Sequence, residues 1–259
     1  MFVFKGLRAA AGWGILLVSD LLRSTKVNRF EQTIAAFAAF LVVGSVSAQE
    51  WSYYPYVLTG WNQLGNPLNK PINVIDLIGS LETPISGVTA NIEAAWAYRQ
   101  GQWAFVSPGL SYKDNASHAA QHGYAVLAVI DPGEGFWVRA EGGYTNLPLQ
   151  TGELYDPGKD FEKRCGWTLM ASPGYLSPEE FNTMVATTPP QPGYSQPSFE
   201  SLWAWDTNGR RFYFYSPLLS PQRLAAYTAA NGLGNFALDG RGLELGKSAW
   251  VNPFCSARG

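Results

Sequence analysis

The chain has 259 residues, of which 46% are hydrophobic, 14% are aromatic and only 15% are charged, and its formal net charge is −2. This much apolar material is enough for the cores of one or two domains. The charges are scattered and form no basic stripe, which argues against nucleic acid or an anionic lipid surface as a partner.

The first recognisable pattern along the chain is an export signal over residues 27–48. Arg29 supplies a positive charge, residues 34–46 form an apolar run, and Ala48 ends a stretch of small residues. This order is typical of a secretory signal peptide, so we expect cleavage after Ala48 and an exported mature chain. The run is shorter than a membrane-spanning helix of about 20 residues, and we expect no membrane insertion. Residues 1–26 are then a mis-annotated extension or, alternatively, an uncleaved N-terminal anchor.

The rest of the chain contains one pattern twice. The offset between matched positions drifts only slightly, from 106 residues at the first match to 113 at the last. Such drift is typical of small loop insertions, so the sequence predicts two tandem related modules at 56–141 and 162–255, joined by a linker at 142–161. The matched positions are Gly60, Trp61 and Pro67 with Gly166, Trp167 and Pro173; Trp96 and Tyr98 with Trp203 and Trp205; Trp103 and Phe105 with Phe212 and Phe214; and Gly133 and Trp137 with Gly246 and Trp250.

Each module shows the same predicted elements in the same order: an opening strand, a short helix, a hairpin, a second helix and a closing hairpin. In the first module we expect helices at 73–78, capped by Asn73, and around 115–122. In the second, the run from Ser177 to Glu180 is a strong helix start, and another helix is expected over 221–230. Short strands with helices between them predict an α+β fold, with a small antiparallel sheet of hairpins and one or two short helices in each module.

The opening and closing strands carry a resemblance to a known family. The first module opens with Gly60-Trp61-Asn62 and closes with the sequence GEGFWV over residues 133–138. This combination resembles the GWN…GxGFWV/GYWV-type repeat modules of exported and surface proteins of bacteria and archaea. The second module departs from the pattern, with Thr168 in place of the asparagine. The resemblance implies a secreted or surface accessory module and supplies no catalytic residues.

Cys165 and Cys255 are the two cysteines of the chain. In an exported protein an even count favours a disulfide, which would close the second module. The loop between them is long, so the bond would stabilise the fold by roughly 4–5 kcal/mol in the chain-entropy model. A redox or nucleophilic role would need a CxxC motif or a nearby histidine, and the sequence has neither.

The motifs that could carry chemistry are incomplete. His118 and His122 lie four residues apart on one predicted helix face, but Ala119 stands where a metalloprotease needs glutamate. Residues 245–251 (LGKSAWV) lack the first glycine of a phosphate-binding loop, and a strand follows instead of a helix. No GxSxG motif is present. We therefore expect no metal, no cofactor and no enzymatic activity.

The aromatic residues are the remaining candidates, and alternation along the strands sorts them by face. On one face of the second hairpin, Tyr213 and Tyr215 stand where the first module has Ala104 and Val106. These tyrosines either pack inside the protein or form an exposed platform, and they are the candidate binding residues. Asn208-Gly209 predicts a type I′ turn between the hairpin strands. We expect eight tryptophans in the structural core: Trp61, Trp96, Trp103, Trp137, Trp167, Trp203, Trp205 and Trp250.

The sequence thus predicts an exported, non-enzymatic binding or structural accessory of the cell envelope or extracellular space. Its partner would be a glycan or a protein that contacts Tyr213 and Tyr215. The alternative hypothesis is a secreted hydrolase with a site between the two modules. That alternative requires polar residues that converge in a cleft at the module junction.

Overall fold

The computed structural model describes residues 50–159, 161, 164–186 and 197–254. The predicted signal peptide, the extension before it and Cys255 lie outside them, so signal cleavage and the disulfide stay predictions. Within the described ranges, no helix is long and apolar enough to cross a membrane. The fold is mixed and strand-rich, with few helices and several small sheets.

Short strands and four helices alternate along the described chain. The first half contains β1 (Trp51–Tyr53), β2 (Tyr56–Val57), β3 (Gly60–Gly65), β4 (Ile72–Asn73), α1 (Val74–Ile78), β5 (Ile92–Arg99), β6 (Gln102–Val106), α2 (Tyr112–His122), β7 (Ala125–Val126), β8 (Val129–Ile130) and β9 (Gly135–Ala140). The second half contains β10 (Thr145–Asn146), β11 (Gln150–Gly152), β12 (Thr168–Ala171), α3 (Pro178–Met184), β13 (Phe199–Asp206), β14 (Arg211–Tyr215), α4 (Pro221–Ala230), β15 (Gly234–Asn235) and β16 (Ser248–Pro253).

Two five-stranded sheets have the same strand order. Sheet 1 runs β3-β9-β5-β6-β7, and sheet 2 runs β12-β16-β13-β14-β15. In each sheet the hairpin pairs with the last long strand, and a two-residue edge strand adds in parallel. Each also has a bulge at the start of the hairpin, between Ile92 and Ala94 in sheet 1 and between Phe199 and Ser201 in sheet 2. The pairs β1-β11, β2-β10 and β4-β8 form separate two-stranded ribbons.

Local capping chemistry fixes the helix starts. The Asn73 side chain accepts a hydrogen bond from the backbone N–H of Ile75 at 3.1 Å, which confirms the predicted first helix. Ser177 and Glu180 form a reciprocal capping box at the start of α3, also as predicted. The helix expected around 115–122 begins earlier, because Ser111 caps it from just before Tyr112.

The two hairpin turns differ in length. In sheet 1 the strands are joined by Gln100 and Gly101, which both have positive φ angles of 48° and 86°, as a two-residue type I′ turn requires. In sheet 2 four residues separate the last paired residues, Asp206 and Arg211.

The type I′ turn predicted at Asn208-Gly209 is therefore wrong. Positive φ in this loop falls on Arg210. The carboxylate of Asp206 accepts a hydrogen bond from the backbone N–H of Asn208 at 3.1 Å, and this contact supports a wider loop.

A hydrophobic core packs against one face of each sheet. In sheet 1 the core face carries small residues, among them Ala95, Ala97 and Ala104, which belong to one buried cluster with Leu77 and Ile78 of α1. In sheet 2 the core face carries large residues, and its cluster contains Leu202, Phe199, Phe236, Tyr213 and Tyr215. The two sheets thus have the same strand order, but side chains of different size fill their cores.

Most of the predicted core tryptophans lie on the opposite face of these sheets and are only partly buried, although Trp203 packs against the core cluster of sheet 2. Trp137 is buried, whereas 40% of Trp61 and 47% of Trp167 are exposed. The reason is that both faces of the hairpins are apolar, and alternation alone does not reveal which face the helix covers. The other five predicted core tryptophans are half-buried: Trp96, Trp103, Trp203, Trp205 and Trp250.

Reciprocal backbone hydrogen bonds join the two sheets. The N–H of Gly65 donates to the carbonyl of Gly246 at 2.9 Å, and the N–H of Ala171 donates to the carbonyl of Gly133 at 2.9 Å. Ala171 is the predicted counterpart of Gly65, and Gly246 that of Gly133, so each bond repeats the other with the roles exchanged. A Cβ on Gly65 would lie 2.5 Å from the Cβ of Ala171. The approach of the sheets therefore depends on glycine at this position.

Candidate binding groove

An open groove of about 460 Å³ lies where the aromatic faces of the two sheets meet. Every residue that lines it is aromatic, and we call it the aromatic groove. Sheet 1 supplies most of the wall, sheet 2 supplies the rest, and one residue follows α2. The lining residues are Trp61, Trp96, Trp103, Tyr124, Trp137, Trp205 and Phe212.

Strand pairing sets the sheet 1 wall. Trp96 on β5 lies directly opposite Trp137 on β9. Trp61 on β3 packs against both, with ring centroids 5.1 Å from Trp96 and 6.1 Å from Trp137. The planes of these rings are inclined by 49° and 87°. Rings so inclined form a concave wall instead of a flat platform.

Hydrogen bonds across the junction hold the sheet 2 wall in place. The indole N–H of Trp205 donates to the carbonyl of Trp61 at 2.9 Å, and its backbone N–H donates to Oε1 of Gln63 at 2.5 Å. The Trp137 ring packs edge-on against Trp205 and Phe212, with both centroid distances at 6.3 Å. Two independent contacts therefore fix the orientation of Trp205.

Each sheet places a tryptophan of its closing strand against aromatic residues of the other sheet, but the groove forms beside only one of these two contacts. Trp250, the predicted counterpart of Trp137, packs against Tyr98 at 5.4 Å and Trp103 at 6.1 Å. Trp167, the predicted counterpart of Trp61, does not line the aromatic groove. It lines a separate, more polar pocket of about 870 Å³ that also includes Arg99 and Cys165.

The groove carries no ionisable acid or base on its wall apart from the hydroxyl of Tyr124. At its edge, the guanidinium of Arg139 lies 5.7 Å above the ring of Trp61. The same group pairs with Glu93 at 2.8 Å, so its charge is compensated. The aromatic groove therefore suits a ligand without net charge.

The polar groups that line the groove are mostly indole N–H groups, which are hydrogen-bond donors. The indole N–H of Trp205 is already used. Those of Trp61, Trp96, Trp103 and Trp137 make no hydrogen bond to any residue in the described ranges. An indole N–H donates and does not accept. A ligand that presents carbonyl oxygens beside flat apolar faces would match this arrangement.

The candidate residues Tyr213 and Tyr215 do not form an exposed platform. Only 3% of Tyr213 and 8% of Tyr215 are exposed. Tyr213 packs against Phe236 at 5.2 Å, and Tyr215 packs against Phe199 at 6.2 Å. Burial also raises the pKa of the Tyr215 hydroxyl to about 12. The packing alternative is confirmed for both tyrosines, and the interpretation of a surface platform is wrong.

The two histidines stack beside the groove instead of forming a metal site. The rings of His118 and His122 are 4.2 Å apart, and His122 lies 5.7 Å from the groove residue Tyr124. Nδ1 of His122 hydrogen-bonds the backbone carbonyl of His118 at 2.9 Å. In the part of the chain that the structure describes, no group of three or more His, Cys, Asp or Glu residues could hold a metal ion.

Comparisons with known proteins add no further assignment. No family model, no curated protein and no solved structure matches the chain. The geometry of the aromatic groove is therefore the observation from which a function is inferred.

Proposed function

We propose that this protein is an exported, non-enzymatic binding protein of the cell envelope or extracellular space, and that its aromatic groove binds a glycan. Export is proposed from the sequence pattern over residues 27–48. The observation that carries the proposal is that seven aromatic residues, six from the two sheets and Tyr124 after α2, line one open concave surface.

The physics of sugar recognition supports a glycan. The C–H groups on the face of a pyranose ring carry partial positive charge, and an aromatic ring carries partial negative charge on its face. Stacking therefore aligns opposite partial charges while it removes apolar surface from water. Rings inclined like those of Trp61, Trp96 and Trp137 contact a sugar from more than one side.

The size of the groove favours a glycan over a folded protein. Its volume of about 460 Å³ lies within the range typical of small-molecule sites. A stable interface between folded proteins buries roughly 1,200–2,000 Å², mostly between flatter surfaces. The donor-rich lining further favours N-acetylated sugars, because their acetamido carbonyl accepts a hydrogen bond.

We also propose that sheets 1 and 2 are the centres of two tandem related α+β modules, at 56–141 and 162–255. The identical strand order, the bulge at the same place and the exchanged backbone hydrogen bonds all support it. Resemblance to the GWN…GxGFWV/GYWV-type modules stays a prediction from the sequence.

The hydrolase alternative receives less support. It requires a general acid, a general base or a nucleophile in the cleft between the sheets. The lining of the aromatic groove supplies the hydroxyl of Tyr124 and otherwise rings and indole N–H groups. The polar pocket beside Trp167 does contain Asp131 and Glu134, but the carboxylate of Glu134 is already bound by Arg99. We therefore keep the non-enzymatic proposal.

Titration of the protein with three soluble probes tests the proposal. The probes are a hexamer of β-1,4-linked N-acetylglucosamine, the matching glucose hexamer and a proline-rich peptide, with binding followed by tryptophan fluorescence and calorimetry. We expect the N-acetylglucosamine hexamer to bind most tightly and the glucose hexamer more weakly. Binding of the peptide alone, or of none of the three, would overturn the proposal of a glycan ligand.

A further inference from the structure

Lys247 occupies a position where the two sheets differ in charge. In sheet 1, Arg99 holds Glu134 with two hydrogen bonds, from Nε at 2.5 Å and Nη2 at 2.6 Å. The predicted counterparts in sheet 2 are Asp206 and Lys247, so acid and base are exchanged. They do not pair: Asp206 binds Arg241 at 3.1 Å instead.

The amine of Lys247 is left without an ionic partner among the described residues. No carboxylate of the described residues lies within salt-bridge distance of it, and it donates no hydrogen bond to a described group. Its Nζ lies 3.9 Å from the centroid of the Tyr56 ring. The ammonium group is thus held by a ring face, which stabilises its charge less than an adjacent carboxylate does.

The surroundings of Lys247 favour the neutral amine. Burial lowers its pKa to about 8, although the carboxylates of Glu244 and Asp206 act in the opposite direction. At pH 7 an amine with this pKa is about 10% neutral, whereas an ordinary lysine is neutral in less than about 0.1% of molecules. Only the neutral form has the lone pair needed for nucleophilic attack.

A small pocket lies beside this amine. Its volume is about 90 Å³, and Tyr56, Asp206, Arg241, Glu244 and Ser248 are among the residues that line it. This is room for about three water molecules. A compound of two or three carbons would fit this volume.

We propose that Lys247 is a nucleophilic amine that condenses with a small aldehyde in this pocket. The lone pair of Nζ forms a bond to the carbonyl carbon while the C=O π electrons move to oxygen. One proton passes from nitrogen to that oxygen and gives a carbinolamine. Loss of water then leaves an imine, with no net oxidation or reduction. This site does not depend on the glycan proposal, although Trp205 lines both cavities.

Trapping of the imine tests this proposal on the intact protein. The protein is incubated at pH 7 with glycolaldehyde and sodium cyanoborohydride, and the labelling of each lysine is followed over time by peptide mass spectrometry. Lys70 and Lys113, which are both exposed, serve as internal references. We expect Lys247 to react about tenfold faster, because its larger neutral fraction outweighs its lower basicity and partial burial.

The pH dependence and one variant separate a reactive site from a merely buried lysine. The labelling rate of Lys247 should rise with pH, with a midpoint near pH 8. Lys247→Arg keeps a cation over Tyr56 and should abolish label on that peptide alone. Labelling of Lys247 at or below the rate of Lys70 would overturn the proposal.

Discussion

Sheet 1 and sheet 2 share their strand order but differ in what covers their two faces. On the core face, Ala104 of sheet 1 faces a short helix, whereas its predicted counterpart Tyr213 fills the core of sheet 2 with its own ring. On the aromatic face, Trp61 lines the groove and its counterpart Trp167 does not. A sequence difference between the two sheets therefore changes the accessible surface only on the exposed face; on the buried face it records how a core is filled.

The largest expected effect tests the assignment of the buried face. Tyr213→Ala should lower the free energy of unfolding by about 3–4 kcal/mol, because it leaves a cavity between sheet 2 and Phe236. Urea denaturation measures the change. The control is Tyr112→Ala, at a position 74% exposed, with an expected change below about 0.5 kcal/mol. Equal effects of the two substitutions would contradict the placement of Tyr213 in the core.

The next prediction concerns the junction of the two sheets. Gly65→Ala should destabilise the protein by about 2 kcal/mol, since its Cβ would overlap the Cβ of Ala171. Gly174→Ala is the matched control, because a Cβ there meets nothing within 4 Å and its φ is not positive. Thermal and urea denaturation of both variants would show whether the sheets approach as closely as described. A harmless Gly65→Ala would mean that they do not.

A smaller effect on stability concerns the pair of positions at which the two sheets carry opposite charges. Sheet 1 has Arg99 and Glu134 there, whereas sheet 2 has Asp206 and Lys247. Because the folded-state pKa of Lys247 is lowered to about 8, the unfolded chain binds more protons between about pH 8 and pH 10.5. The contribution of Lys247 to the free energy of unfolding should therefore become more favourable as pH rises across this window.

Lys247→Met isolates that contribution. The variant should be more stable than the native protein at pH 7.5 by about 1 kcal/mol, a discounted value because Lys247 keeps some exposure to water. The difference should shrink by pH 9.5, where the native amine is already neutral when folded. Denaturation at the two pH values gives the comparison, and a difference that grows with pH would refute the lowered pKa.

Features set by neighbouring residues were predictable from the sequence. Asn73 and Ser177 mark helix starts because a cap needs only a side chain and the next two or three backbone N–H groups. The order of hairpins and helices followed from periodicity in the same way. The prediction of a type I′ turn at Asn208 was wrong because the side chain of Asp206, which lies outside the two central residues, widens the loop.

The groove depends on contacts that no local pattern contains. Trp61 and Trp205 meet across the junction although they are 144 residues apart in the chain. Both faces of each hairpin are apolar. Alternation puts the neighbouring residues Trp96 and Ala97 on different faces of the sheet, but it does not show which of the two faces water.

The central proposal is that the aromatic groove, and not the polar pocket beside Trp167, binds a glycan. Calorimetric titration of Trp61→Ala and Trp167→Ala with the N-acetylglucosamine hexamer tests it most directly. Both side chains are comparably exposed, at 40% and 47%, so the two variants lose similar surface. We predict that Trp61→Ala weakens binding about tenfold, equivalent to about 1.4 kcal/mol, while Trp167→Ala leaves it unchanged. Equal losses in the two variants, or a loss in Trp167→Ala alone, would contradict the account.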